Sequence, residues 1–233
     1  MHFIFDLFGT LVRSLDEPHP DHHWRHAATR LLEVDADAFT AAFRLSIPDR
    51  ERGQLAFVRA VLAAVSTAGG RPDITQAEEF LAVSVDLLVN HLDGTLRTGA
   101  LESLRALRDQ GAALSLLTNA SQDTGLALRK WSASCLFDRL VVSADAGAAK
   151  PDARAYAAAG ARPGDVYVGD GGSDELAGAL RAGLVAVQIP ELHWDGSLSF
   201  RPGLPGLRIA DLRELEHIVS DGHRVPPRAH RLR

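Results

Sequence analysis

Three large apolar residues, Phe3, Ile4 and Phe5, are followed at once by a carboxylate, then by a glycine and a hydroxyl (FIFDLFGTL, residues 3–11), and no other stretch constrains the fold of this chain more. An unbroken apolar run suits a strand covered on both faces, as the strands of a parallel sheet are. Asp6 then stands at the exit of that strand. In an open parallel sheet the loops leaving the carboxyl ends of the strands line a crevice that side chains can reach. Gly9 permits a sharp turn there, and Thr10 offers a hydroxyl to orient the carboxylate. A carboxylate so held can act as nucleophile, general base or metal ligand, or it can simply cap a turn.

The rest of the chain decides what kind of sheet this is. Residues 16–91 carry four helical patterns and no strand-like alternation: Trp24, Ala28, Leu31 and Leu32; Phe39, Phe43 and Ile47; Leu55, Val58, Val61, Leu62 and Val65, stopped by Gly69 and Gly70; and Phe80, Leu81, Val85, Leu88 and Leu92. They read as a helical insertion over the crevice. Beyond Thr98 strand and helix alternate. Strands are expected at 113–117, 140–142, 166–168 and 184–189. Helices are expected around Leu101, Leu104 and Leu107, after Ser121 as cap, from Pro151 to about residue 159, from GDGGSDE to Gly183, and after Asp211, where Glu214 completes a capping-box pattern. Strands separated by helices pair in parallel with right-handed crossovers. The expected fold class is therefore α/β, a doubly wound parallel sheet core with an inserted all-helical cap domain. The core takes residues 1–15 and 95–222 and the cap 16–94; residues 223–233, rich in arginine and without an acid, are expected to form a flexible tail.

Length and composition exclude some functions. A chain of 233 residues with 46% hydrophobic and 24% charged residues can bury a sizeable core. Its net charge of -5 argues against a nucleic-acid partner, so an anionic small-molecule substrate must be met by local charge. The one cysteine, Cys135, excludes an internal disulfide and a cysteine-rich zinc site; it is expected to be buried, in a reducing compartment. No apolar run has the length of a membrane span and no signal-like segment opens the chain, so a cytoplasmic location without membrane contact is expected.

Asp6, Thr118 with Asn119, Lys150 and Asp170 each follow a strand or lie in the loop leaving it, so the topology should gather them at one edge of the sheet. Asp170, with Asp174 and Glu175 close behind, would crowd carboxylates around Asp6 that repel unless a cation is present. Hard oxygen ligands without Cys or His point to Mg²⁺, although Asp174 and Glu175 could equally be favouring the first turn of a helix. Lys150 can offset the charge of an attacking carboxylate and of a phosphoryl group, and Thr118 and Asn119 add donors for an oxyanion. The pairs His19/His23 and His22/His26 have the i, i+4 spacing of a transition-metal site or of a solvated helix face; with Arg13 and Arg25, some of them could instead face the crevice. The G-x-G-x-x-G, G-x-x-x-x-G-K-[ST] and G-x-S-x-G patterns are all missing.

In order and spacing, DLFGTL, LLTNAS, GAAKPD and YVGDGGSDELAGALRAG resemble the four signature motifs of the haloacid dehalogenase-like (HAD) hydrolase superfamily, whose members often carry a helical cap after the first motif. The resemblance implies that Asp6 is a nucleophile forming a covalent aspartyl intermediate. Thr118 would bind phosphate with help from Asn119, and Lys150 would be the stabilising cation. Mg²⁺ would be held by Asp6, the backbone carbonyl of Phe8 and Asp170, with Asp174 in support. Thr10, Arg13 and Tyr156 are the candidate substrate contacts.

Two departures stand out. The phosphatases of the family place a second Asp where this chain has Phe8, and the general acid-base help thereby lost is typically about 10²–10⁴-fold. The dehalogenases have an aromatic residue there and also resemble this chain in Asn119, Lys150 and Tyr156. They need no metal, however, and replace the fourth-motif acids with Ser and Asn, whereas this chain keeps Asp170 and Asp174; nor does any arginine lie in a segment resembling their halide-accepting cap motif. The second departure is the short link from Lys150 to Asp170, which implies a trimmed helix. The expectation is a Mg²⁺-dependent phosphatase or phosphotransferase acting on a small phosphorylated metabolite. The alternatives are a 2-haloacid dehalogenase-type hydrolase, or a catalytically weak member that binds a phosphorylated ligand or partner.

Overall fold

The computed structural model describes residues 1–15, 22–193 and 195–220, with the backbone alone for His22, His23 and residues 218–220. His19 and the arginine-rich tail lie outside them. The sheet is built on β1 (His2–Phe5), whose Phe3, Ile4 and Phe5 are wholly buried. Parallel partners flank it on both sides: Phe3 is in register with Leu114 of β2 (Ala113–Thr118) and Val166 of β4 (Val166–Gly169). With β3 (Arg139–Val142), β5 (Val185–Gln188) and β8 (Leu207–Arg208), the order is β3-β2-β1-β4-β5-β8, all parallel. Strand order reverses between β1 and β4, which is where an open sheet of this kind leaves a crevice.

Side chains alternate across the sheet, and each face is covered. Phe3 and Phe5 pack with Leu104 and Leu107 of α6 (Ala100–Asp109), Leu128 of α7 (Gln122–Lys130) and Leu215 of α11 (Leu215–Ser220). Ile4 packs on the opposite face with Tyr167, with Tyr156 of α9 (Ala153–Ala158) and with Leu176 of α10 (Glu175–Arg181).

Between Leu15 and Ala100 the described chain is helical: α1 (His22–Leu32), α2 (Ala36–Leu45), α3 (Ile47–Glu51), α4 (Phe57–Thr67) and α5 (Ile74–Gly94). These helices enclose an apolar cluster of their own, in which the Trp24 ring lies 5.3–5.7 Å from those of Phe39, Phe43 and Phe80. The long α5 belongs to both cores, giving Ala77 and Phe80 to this cluster and Val85 and Leu92 to that of the sheet.

Local corrections follow from hydrogen bonding and chain length. Ile47 opens α3 instead of extending α2, because Ser46 intervenes as the cap of both. Ser121 does not cap α7 with its side chain, since its hydroxyl donates to Asp123 Oδ1. Pro151 precedes α9, whose six residues start at Ala153 behind an Asp152 cap, so this helix is indeed short. A one-turn helix α8 (Ser143–Ala146), the hairpin β6 (Glu191–Leu192) with β7 (Leu198–Ser199), and β8 are additions, the strands too short for any hydrophobic period to reveal. Cys135 is exposed: it sits on the outer side of the 3₁₀ turn Ser132–Leu136, whose Ala133 takes the buried position. No helix among the described residues is long and apolar enough to cross a membrane.

Candidate active site

Asp6 leaves the end of β1 with its backbone N–H bonded to the Val168 carbonyl of β4 at 2.9 Å. Gly9, at φ 78°, turns the chain back so that the Thr10 hydroxyl donates to Asp6 Oδ2 at 3.1 Å and accepts from the Asp170 N–H at 3.0 Å. Thr10 is therefore buried behind the carboxylate as a link between the two acids, not a contact for substrate. Arg97 fastens the same turn by donating to the carbonyls of Gly9, Thr10 and Pro190 at 2.6–2.9 Å.

Lys150 Nζ lies 2.5 Å from Asp6 Oδ1, 2.5 Å from Glu175 Oε2 and 3.0 Å from the Tyr167 hydroxyl, which itself donates to Glu175 Oε2 at 2.6 Å. Glu175 Oε1 accepts from the Gly171 N–H at 3.0 Å. A Cβ at Gly169 would come within 2.1 Å of that oxygen, so the strand must end in glycine for Glu175 to enter. Burial alone would lower the pKa of the Lys150 ammonium, but Asp6 and Glu175 more than offset it and the net shift is upward. Burial raises the Glu175 carboxyl to about 8, with the Asp6 charge adding to it and Lys150 opposing. Burial, abetted by Asp170 and opposed by Lys150, raises Asp6 too.

Asp170 accepts from the Gly172 N–H at 3.1 Å and from Arg201 Nε at 3.0 Å; Arg201 Nη2 reaches Glu191 at 3.0 Å. Asp6, Asp170, Glu175 and Glu191 are all less than 9% exposed; with Glu175 raised toward neutrality, the charges of Asp6, Asp170 and Glu191 are met by Lys150, Arg201 and, behind the turn, the buried Arg97. One carboxylate oxygen from each of Asp6, Asp170 and Glu175 lies within 4.8 Å of the others. Glu175 is committed to Lys150, Tyr167 and Gly171, which leaves Asp6 and Asp170 as the acids suited to a hard divalent cation. The donor set fits such an ion: hard carboxylate oxygens close together, with no nitrogen or sulfur ligand in the cluster.

These groups open onto a crevice of about 450 Å³, lined from the sheet side by Asp6, Phe8, Thr118, Asn119, Lys150 and Asp170. The Thr118 hydroxyl makes no hydrogen bond within the described protein and is open to a ligand. Asn119 is otherwise engaged: its amide donates to the Lys150 carbonyl at 2.9 Å and accepts from the Lys150 N–H at 2.8 Å, so it holds the lysine loop.

Three expected residues stand elsewhere. Asp174 points outward, its side chain 59% exposed and 3.4 Å from Arg181, because Ser173 and Asp174 both take left-handed backbone (φ 53° each) and bring Glu175 inward instead. Tyr156 is fully buried; its hydroxyl donates to the Glu175 carbonyl at 2.6 Å and its ring meets Tyr167 edge-on, so it supports the lysine clamp from behind. Arg13 lies beside Gly196 of the hairpin and is not on the crevice wall. Arg25 pairs with Asp37 on the helical layer and His26 is exposed; the other three histidines have no described side chain.

The sequence reading missed Tyr167, Arg97, Glu191 and Arg201, and also Arg44 and Arg50, which line the crevice from the helical layer. Glu175 was named among the carboxylates around Asp6, but the supporting role was given to its neighbour Asp174 and the bond to Lys150 was not foreseen. For Arg201 and Glu191 no local pattern existed.

A family model described as haloacid dehalogenase-like hydrolase matches residues 1–183. Among solved structures the chain is similar to 2-haloacid dehalogenase from Pseudomonas syringae pv. tomato DC3000, with 23% identity, a TM-score of 0.66, and coverage of 95% of this chain and 99% of that one. A HAD phosphatase from Thermococcus onnurineus is similar at 22% identity and TM-score 0.64, over 96% and 99% of the two chains. L-2-haloacid dehalogenase from Xanthobacter autotrophicus follows at 17% and 0.60, over 94% and 98%. At these identities the likeness is one of fold. The search of curated proteins found no significant match.

Proposed function

The chain belongs to the haloacid dehalogenase-like hydrolase family, and on that basis we propose that it transfers the phosphoryl group of a small anionic substrate to Asp6 and then to water or another acceptor. The observation that carries this reading is the pair Asp6 and Asp170, buried side by side with carboxylate oxygens within 4.8 Å, so close that the charge of Asp170 helps to raise the Asp6 carboxyl. Two buried carboxylates this close repel one another, and a divalent ion between them would offset that repulsion and draw a phosphoryl oxygen to the same place.

In this mechanism an Asp6 oxygen attacks phosphorus in line, the bond to the leaving oxygen breaks with its electron pair, and an aspartyl phosphate forms; water then attacks phosphorus and restores Asp6. Lys150 offsets charge beside the nucleophile, and Thr118 offers its hydroxyl to a phosphoryl oxygen. Glu175, Tyr167 and Asn119 keep Lys150 in place. Mg²⁺, held by Asp6, Asp170 and the Phe8 carbonyl, would supply further positive charge to the phosphoryl oxygens. Phe8 has no proton to give, so the substrate must have a good leaving group or bring its own acid.

The test is a screen of phosphate esters and acyl phosphates with and without Mg²⁺, run beside Phe8→Asp. Metal-dependent turnover is expected, with a gain of about tenfold or more for the variant on poor leaving groups. Mg²⁺ that alters neither turnover nor melting temperature would defeat the reading. Dehalogenation of a 2-haloacid is the second reading, favoured by the aromatic Phe8 and by the arginines on the crevice wall. Halide release without metal would establish it.

A further inference from the structure

The chemistry at Asp6 leaves Arg50 unused. This residue of α3 is only 8% exposed, yet it lines the crevice. Its guanidinium lies 4.0 Å from the centroid of the Phe43 ring, donates through Nε to Ser46 Oγ at 2.9 Å, and donates through Nη1 across the seam to Ser121 Oγ at 2.8 Å. All three partners are neutral. Among the described residues no carboxylate comes within ion-pair distance of it; Asp123 is bonded to Ser121 instead, and together with Glu51 acts on Arg50 only from farther off. Two of its five N–H donors are used.

Buried cations are paired as a rule, and this one is held rigid with its fork incompletely used. Orienting a guanidinium in advance lessens the entropy lost when an anion docks, and the planar fork matches a carboxylate through two parallel bonds. The nearby charges of Asp123 and Glu51 also favour a monoanion over a dianion there. We propose that Arg50 forms a second anion subsite, binding a carboxylate carried by the same substrate whose reacting group lies at Asp6. Arg50 is then a specificity residue, and the substrate class is a small carboxylic acid bearing the transferable group. This rests on the phosphoryl reading of Asp6.

The experiment compares two unreactive probes by titration calorimetry, with and without added magnesium: methylphosphonate, which offers only a phosphoryl mimic, and phosphonoacetate, which adds a carboxylate. Wild type should bind phosphonoacetate at least about tenfold more tightly. In Arg50→Gln that advantage should collapse while methylphosphonate affinity holds, and Arg50→Lys, which keeps the charge but loses the fork, should fall between. Equal binding of both probes by wild type would overturn the proposal and leave the phosphoryl reading standing. A loss of affinity shared by both probes in Arg50→Gln would overturn it too, by making Arg50 a latch between helical layer and sheet. Failure of wild type to bind either probe would remove the phosphoryl reading and the subsite together.

Discussion

Arg201 sets the charge that Asp170 presents. Its guanidinium bridges Asp170 and Glu191 from a segment beyond the hairpin, so a hard cation approaching Asp170 finds one positive charge already there. A carboxylate oxygen has a second lone pair, and the two cations can share Asp170, but they repel one another. Replacing the arginine by an uncharged side chain of similar length should therefore tighten divalent binding. In Arg201→Met, Mg²⁺ affinity measured by calorimetry should rise on the order of tenfold, equivalent to about 1.4 kcal/mol. Unchanged or weaker binding would mean that Arg201 supports the metal ligands more than it competes with the metal.

Among the elements, the end of the chain carries the clearest local energetics. Asp211 caps the 3₁₀ turn Leu212–Glu214 by accepting from the Arg213 N–H, while Glu214 accepts from the Asp211 N–H at 3.0 Å, and this turn sets Leu212 and Leu215 into the core. Asp211→Ala should cost about 1 kcal/mol in urea unfolding. Hydrogen bonds from Arg213 hold the Asp211 carboxyl down to about 2 against an ordinary value of 3.8. A depressed folded value means that the contribution is complete above the unfolded value and is lost as pH falls through the folded one. The gap between wild type and Asp211→Ala should thus be constant above about pH 5 and shrink toward pH 3; a gap that widened on acidification would contradict the assignment. The same elements mark what was legible in advance. Asp211 with Glu214, and Phe3-Ile4-Phe5, declare themselves through capping chemistry and an unbroken apolar run. The hairpin of two-residue strands declares nothing, and Arg201 and Glu191 went unseen with it. Asp174 was given the supporting role and Glu175 none because Ser173 and Asp174, besides Gly171, take positive φ and turn Glu175 inward, and neither residue type marks that backbone in a sequence.

For the molecule as a whole, what matters is that β1 and β4 are neighbours where the strand order reverses, so that Asp6 and Asp170 emerge side by side, while β2 brings Thr118 and the loop after β3 brings Lys150. That convergence could be inferred from topology alone, since strands alternating with helices leave few other arrangements. What the helical layer contributes could not, because the direction of Arg50 and Arg44 depends on how α2 and α3 pack over the crevice. The central claim is that Asp6 carries the transferred group. A rapid acid quench of enzyme mixed with an acyl phosphate and Mg²⁺, followed by peptide mass spectrometry, tests it most directly. The account predicts the mass of one added phosphoryl group on the peptide containing Asp6, absent when magnesium is withheld and absent in Asp6→Asn. Phosphate released with no adduct on that peptide, or a metal-independent ester formed there from a 2-haloacid in its place, would contradict it.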